Sequence, residues 1–419
     1  MDITIVGGGI GGLAAAIALR ARGHRVTILE QSAVPAEVGA AVGLAPNATA
    51  ALAELGVADL LAHRAVAPQA WTRRRWTDGA ELGSLPLADA VHAEFGHPFW
   101  MAHRVHLHQA LLARATGDAS GEGSIRIVGG ARVSGIDGGT GTVSTTSGDS
   151  YRADLVVGAD GIRSTVRAAV AGPDNPVFSG NIAVRAQIAT SHIVEDPELR
   201  SFVTDNCLET WMGPGGHIVN SLIESGRLLN VTACFDAPAT GTDSWFSDEG
   251  SDLLTELIQD WHRPLRRLVG LAGSIGRWDL YDRDPIPRLV RDRVVLLGDA
   301  AHPVLPYLGQ GAAQTLEDAV VLGRCLEGRD VPTELRLYQA ARLERTHVVQ
   351  QRSRDNRDAL HLPDGPAQAA RDAAFAEGGA DFQVLRWLWS PSFAPTVASG
   401  GRHLPDTATR SVASLSRES

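Results

Sequence analysis

Cysteine is scarce in this 419-residue chain: Cys207, Cys234 and Cys325 stand far apart. They offer neither a disulfide framework nor the close spacing of a metal site, so a reducing compartment and no bound metal are expected. Long apolar runs are missing too. The longest, Ile10 to Leu19, is too short to cross a bilayer, and no membrane association is expected. No basic n-region or cleavage site precedes the first apolar strand, so the expectation is a cytoplasmic protein. Basic runs are equally few. The formal charge is −10, from 38 basic and 48 acidic residues. The densest cationic spot is Thr72-Arg73-Arg74-Arg75-Trp76, read as an exposed strand or loop. Nucleic acid is therefore not expected as a partner. Internal repeats and low-complexity domains are absent. What remains is ordinary globular composition, 44% hydrophobic and 21% charged, at a length that predicts two domains rather than one core.

The stretch Gly298 to Asp318, GDAAHPVLPYLGQGAAQTLED, carries the first chemistry. Val294 to Leu297 reads as a strand buried on both faces, ending in Gly298-Asp299 at the edge where open α/β sheets bind ligands. Gly309-Gln310-Gly311 then feeds a helix running to about Leu322. A glycine turn at a helix N-terminus presents unpaired N–H groups and a positive dipole end to an anion.

A second ligand signature opens the chain. Strand Asp2 to Val6 runs into Gly7-Gly8-Gly9-Ile10-Gly11-Gly12, a helix from Leu13 to about Arg22, and strand Arg25 to Leu29 closed by Glu30. Gly7, Gly9 and Gly12 make G-x-G-x-x-G, the turn that lets backbone approach a pyrophosphate, and Glu30 stands where an acid binds ribose hydroxyls. A nicotinamide and a flavin dinucleotide fit this fingerprint equally.

Further helices are expected at Pro46 to Leu55 and His106 to Leu112, and a hairpin-like excursion at 66 to 87. Short strands follow over 124 to 150. Asp154 to Asp160 reads as another buried strand ending in an acid, with Ile162 to Ala169 helical after it. Between 176 and 285 the texture changes to alternating strands, at Ile182 to Ile188, Leu208 to Trp211, His217 to Ile223 and Leu228 to Cys234, interrupted by a helix at Asp252 to Trp261. This predicts an inserted, mostly antiparallel sheet. Beyond 330 the pattern is helical, broken at Gly365-Pro366, and the last thirty residues predict a poorly ordered tail.

The order of GGGIGGL at 7–13, EVGAAVGLAPNA at 37–48, HRVHLHQAL at 103–111, DLVVGADGIRSTVR at 154–167, the run from Leu280 to Ala319 and HLPDGPAQAARDA at 361–373 resembles the single-component FAD-dependent aromatic monooxygenases. The likeness covers nearly the whole chain and leans towards salicylate and 3-hydroxybenzoate 6-hydroxylases. It implies an α/β fold: a Rossmann-type FAD-binding domain with an inserted, mostly antiparallel β-sheet substrate domain and C-terminal helices. The implied segments are 1–70, 97–175 and 286–350 for FAD, 71–96 and 176–285 for substrate, and 351–419 for the C-terminal helices and tail. It also implies FAD as cofactor and NADH or NADPH as transient reductant, with a small-molecule substrate, O2 and a monomer or homodimer. Oxygen would be transferred through a C4a-hydroperoxyflavin to an aromatic or other electron-rich carbon. By the same likeness Gly7, Gly9 and Gly12 cradle the pyrophosphate and Glu30 the adenosine ribose. Arg104 reaches the phosphate–ribityl region, Asp160 serves both FAD and the nicotinamide, and Asp299 binds the ribityl chain. Pro306, Gly309, Gln310 and Gly311 flank the isoalloxazine. Taken singly, Asp160 and Asp299 also read as helix N-caps, Arg104 as a surface arginine and His302 as a packed structural histidine.

Relatives carry G-P-x-x-H-x-V-x-Y-P on a substrate-domain strand, and here the run is Gly213-Pro214-Gly215-Gly216-His217-Ile218-Val219-Asn220-Ser221-Leu222. Period-2 spacing puts His217, Val219 and Ser221 on one face, joined in the expected pocket by Arg185. His217 matches the family's base, with a hydrogen-bonded strand histidine as the alternative. Ser221 and Leu222 replace Tyr-Pro, which suggests a roomier pocket and a bulkier or less phenolic substrate. Two other functions stay open: a natural-product tailoring monooxygenase or epoxidase acting on an indole, polyketide or alkene, and a non-oxygenating flavoprotein reductase.

Overall fold

The computed structural model describes residues 1–33, 40–117, 123–239, 241, 248–273, 275–328, 330–377 and 382–394. The expected tail from 395 onward and residues 37–39 of the EVGAAVGLAPNA motif lie outside them.

Apolar, β-branched runs build a six-stranded sheet in the order Val290–Arg291, Val294–Leu296, Leu155–Gly158, Asp2–Val6, Arg25–Leu29, Ser124–Val128. All pairs are parallel except the first. Both faces are covered, which is why Ile5, Ile28, Val157 and Val295 are fully buried. Register does the positioning. Val6 pairs with both Leu29 and Gly158, and Gly158 with Leu296. The strand-ending motifs therefore finish side by side on one edge.

The second sheet has seven strands, in the order Ile275–Asp282, Val177–Ala189, Leu228–Asp236, Gly216–Ile223, Leu208–Gly213, Ala70–Arg75, Glu81–Pro86. It is antiparallel apart from the pairing of Leu208–Gly213 with Ala70–Arg75. Alternation divides its residues. Val184, Ile218, Leu222, Leu229, Val231 and Ala233 pack on Phe202, Trp211, Trp261 and Leu265. Their neighbours Arg185, Thr210, His217, Val219, Ser221, Thr232 and Cys234 line a cavity on the other side. A 30-residue helix, Val331–Leu360, runs on beyond these sheets. No helix among the described residues is long and apolar enough to cross a membrane.

Three local expectations are corrected. Residues 161–166 form turns, and the helix is only Arg167–Ala171, because the Asp160 carboxylate accepts hydrogen bonds from the Ser164 hydroxyl and from the Thr165 and Val166 N–H groups. The helix expected at Asp252 to Trp261 spans Asp248–Leu257, and a separate one follows at Arg263–Val269 with Pro264 in its first turn. The cationic spot is a strand, Ala70–Arg75, as one of its two readings had it, but not an exposed one. Arg73 is buried, stacked between the rings of Trp71 and Phe375 at 4.5 and 4.8 Å, and Arg74 pairs with Glu209 at 2.5 Å.

Candidate active site

The carboxyl edge of the parallel sheet and the polar face of the antiparallel one enclose a cavity of about 890 Å³. Every candidate site residue lines it except Gly12. Gly12 acts one step back. A Cβ built there would lie 1.9 Å from the Gly7 carbonyl oxygen, and one on Gly7, whose φ is +103°, would lie 2.4 Å from the Ala159 oxygen. The turn is thus drawn tight against the neighbouring strand end. Gly9 precedes helix Ile10–Arg20 with no side-chain cap, so the helix start offers its N–H groups to the cavity. Glu30 is fixed by the Gly8 N–H at 2.7 Å and the Ser32 N–H at 2.8 Å.

The second helix start is built the same way. Gly309 adopts φ +62°, Gln310 stands at the N-cap of helix Gly311–Cys325 without a capping side chain, and Gly311 and Ala312 face the cavity. Gln310 itself is buried, its Oε1 accepting from Asn47 at 3.0 Å and Gln314 at 3.1 Å. Arg104 opens helix Arg104–Thr116 on the same cavity. Asp299 lines the cavity and is accessible there. The walls around it raise its carboxyl pKa against the pull of the Arg104 and His302 charges. Burial also raises the Asp160 carboxyl above its ordinary value, although its oxygens cap the 164–166 turn as described.

Behind this edge lies a buried polar network that sequence spacing did not reveal. Arg342 donates to Asp318 at 2.6 Å and Glu317 at 2.5 Å, all three fully buried. Arg345 adds a second pair to Glu317 at 2.7 Å. Asp318 also holds His302 at 2.6 Å and the Gly298 N–H at 2.9 Å, which fixes the turn that carries Asp299. His302 is accordingly packed and hydrogen-bonded, 2% exposed. Arg167 bridges two motifs by donating to the carbonyls of Ala301 at 2.7 Å and Asp284 at 2.9 Å.

On the substrate-facing wall His217 is 4% exposed, and its Nδ1 lies 2.9 Å from Nε2 of His361. Burial, with His361 beside it, holds His217 well below the usual histidine range. His361 follows the long helix directly and reaches Asp236 through Nδ1 at 3.3 Å. Burial lowers the His361 pKa to about 4 against the pull of Asp236. A tyrosine from another element does stand beside His217: Tyr307, from the turn Pro306–Leu308, places its ring 5.7 Å from that of His217. Among the described residues the Tyr307 hydroxyl and the Ser221 hydroxyl are buried without a hydrogen-bond partner, and both residues line the cavity. Arg185 lies over the ring of Trp278 at 4.8 Å on the same wall.

Glycine turns whose Cβ positions are filled by backbone, two uncapped helix starts and an anchored acid make a cradle that fits a flavin dinucleotide. Comparison with known proteins agrees. Residues 1–353 match the family model described as FAD binding domain. The chain is 37% identical over 391 residues to 3-amino-4-hydroxybenzoate 2-monooxygenase of Streptomyces cremeus, covering 92% of this chain and 94% of that one. It is 34% identical over 363 residues to 3-hydroxybenzoate 6-hydroxylase of Polaromonas naphthalenivorans, covering 85% and 87%. Among solved structures, Klebsiella pneumoniae HpxO complexed with FAD and uric acid superposes with a TM-score of 0.78 at 27% identity, covering 90% of this chain and 93% of that one. The chain therefore belongs to the FAD binding domain family, among its FAD-dependent aromatic monooxygenases.

Proposed function

We propose that this enzyme hydroxylates an aromatic compound bearing an ionisable hydroxyl group, using NADH or NADPH and O2. The observation that carries the reading is His217, an imidazole kept neutral by burial in the wall of the cavity that the cofactor cradle also lines. The hydroxybenzoate names of the relatives support it.

FAD would be held by the Gly7–Gly12 turn, Glu30, Arg104, Asp160, Asp299 and the Pro306–Gly311 segment, and when bound it supplies the activation of O2 with electrons from the nicotinamide. The protein's own residues do the rest. His217 takes the proton from the substrate hydroxyl, which makes the ring carbon electron-rich. Ser221 and Tyr307 supply hydroxyls that bond the substrate, and Arg185 gives their wall positive charge. Trp71, Phe99, Leu208 and Trp389 line the cavity with apolar surface that excludes water. We assign 1–70, 97–175 and 286–350 to cofactor binding and 71–96 with 176–285 to the substrate.

The test is a screen of NADH and NADPH consumption over 3-amino-4-hydroxybenzoate, 3-hydroxybenzoate, indoles and polyketides, with product mass measured under 18O2. Substrate-stimulated consumption with one labelled atom in a phenolic product is expected. Product from a compound without an ionisable hydroxyl would move the reading to the tailoring oxygenase, and stimulated consumption with no label would reject oxygenation. With the substrate found, Ser221→Ala should raise KM by roughly fivefold, the worth of about 1 kcal/mol for one hydrogen bond, at little cost to kcat. An unchanged KM would remove Ser221 from the contacts.

A further inference from the structure

We propose that His361 and Asp236 are positioning residues that fix the tautomer of His217 and pass its proton to solvent. The proposal rests on the reading of His217 as the base.

The three groups arrive from different elements. His217 is on the strand Gly216–Ile223, Asp236 ends the strand Leu228–Asp236, and His361 follows the helix Val331–Leu360. Gly215 stitches them together at φ +67°: its N–H donates to the His361 carbonyl at 3.1 Å, and its carbonyl accepts from the Asp236 N–H at 2.9 Å. Both histidine side chains are buried, that of His361 at 4% exposed, whereas that of Asp236 is 48% exposed. A continuous path thus leads from the cavity wall to water.

Asp236 sets the direction of every bond along it. Burial pushes its carboxyl up, but the hydrogen bond and charge of Arg357, at 2.9 Å, hold it below its ordinary value. An ionised carboxylate only accepts, so His361 must donate through Nδ1. The His361 Nε2 then carries a lone pair and accepts from His217 Nδ1–H at 2.9 Å. His217 is left with its lone pair on Nε2, as a general base requires. The same logic orients the histidine of a Ser-His-Asp triad.

The proton count closes. The substrate hydroxyl proton goes to His217 Nε2, the His217 Nδ1 proton to His361 Nε2, and the His361 Nδ1 proton to Asp236 and then to water. One proton enters, one leaves, and nothing is oxidised; the same steps run backwards, when the product oxygen is reprotonated, return both imidazoles to their first tautomers. A path is needed because an imidazolium retained at His217 would be buried beside a second histidine. The other groups facing the chain are Tyr307, with its ring 5.7 Å from both imidazoles, the cross-strand neighbour Cys234, and Asn181, Arg357 and Asp358 around Asp236 and His361.

Asp236→Leu separates orientation from packing, because it keeps the side chain's bulk and removes the oxygen that accepts from His361, Arg357 and Asn181. With that acceptor gone, His361 Nδ1 need not carry the hydrogen, and neither need His217 Nδ1. In 15N-histidine-labelled, FAD-loaded enzyme, the resonance that disappears in His217→Gln should report Nδ1–H in the wild type and a mixture of Nδ1–H and Nε2–H in Asp236→Leu. Unchanged tautomers would overturn the proposal without touching the base reading. Stopped-flow ionisation of bound 4-nitrophenol tests the transfer itself. It should slow about a hundredfold in Asp236→Leu and in His361→Gln, within the span of general-base effects. Wild-type rates in both would overturn the relay, whereas full ionisation in His217→Gln would overturn the base.

Discussion

Gly12→Ala is expected to purify with almost no FAD. The added methyl would sit 1.9 Å from the Gly7 carbonyl oxygen, and backbone cannot swing aside as a flexible side chain can. Relief requires either the helix Ile10–Arg20 or the Gly7 turn to move. Each movement opens the cradle that faces the cavity, and Gly7 is itself pinned against Ala159. Overpacking of this kind costs about 1–3 kcal/mol in a core. Here that cost falls on the segment that must touch the pyrophosphate, so the loss of binding should exceed the loss of stability. Flavin absorbance per protein after gel filtration reads the first, and thermal unfolding of the apoprotein reads the second. A variant that retains a full complement of flavin would show that the turn does not hold the cofactor. One that fails to fold would show that the turn is mainly structural.

Arg342→Ala should cost about 3–5 kcal/mol of stability, the range for breaking a buried ion pair from one side. The guanidinium is fully buried and contacts Asp318, Glu317 and Gln314, so its removal leaves carboxylates in the core with part of their compensation gone. His302 and Arg345 still hold one acid each, which keeps the cost from rising further. Burial pushes the Asp318 carboxyl up, yet the charges of His302 and Arg342 bring it down to about 2, from an ordinary 3.8. A depressed carboxyl stabilises the fold above its unfolded pKa. That contribution is therefore complete above about pH 4 and lost as pH falls towards 2. In the variant Asp318 loses one of the charges that hold its carboxyl down, so this acid-linked contribution shrinks and stability should fall less steeply as pH drops below about 4. Urea unfolding of both proteins between pH 3 and 7 measures this. A difference below about 1 kcal/mol at pH 7 would put the network's worth in the range of a surface pair.

Much of the cofactor edge is legible in the sequence. Val294 to Leu297 and Leu155 to Gly158 are apolar runs too continuous for a half-exposed strand, and the acid that ends each run must then lie at the carboxyl edge of a parallel sheet. Alternation along Gly216–Ile223 likewise put His217, Val219 and Ser221 on one face. Such patterns are local: helix and strand periods are properties of the chain itself, so the face and end on which a residue sits can be counted.

The partners of buried polar groups cannot be counted in that way. His361 lies 144 residues from His217, and Arg342 lies 24 from Asp318, separations that belong to no repeat. Asp160 shows the same limit at short range, since its carboxylate caps its own turn and cancels the helix that the composition of 162–169 suggests. Arg73 does so through burial, being stacked on a ring more than three hundred positions away. The sequence by itself determined the two sheets, the shared strand-end edge and the face that His217 occupies. Only the tertiary structure decided which buried charge meets which, because desolvation makes each such group take whatever partner the packing of distant elements brings within 3 Å or so.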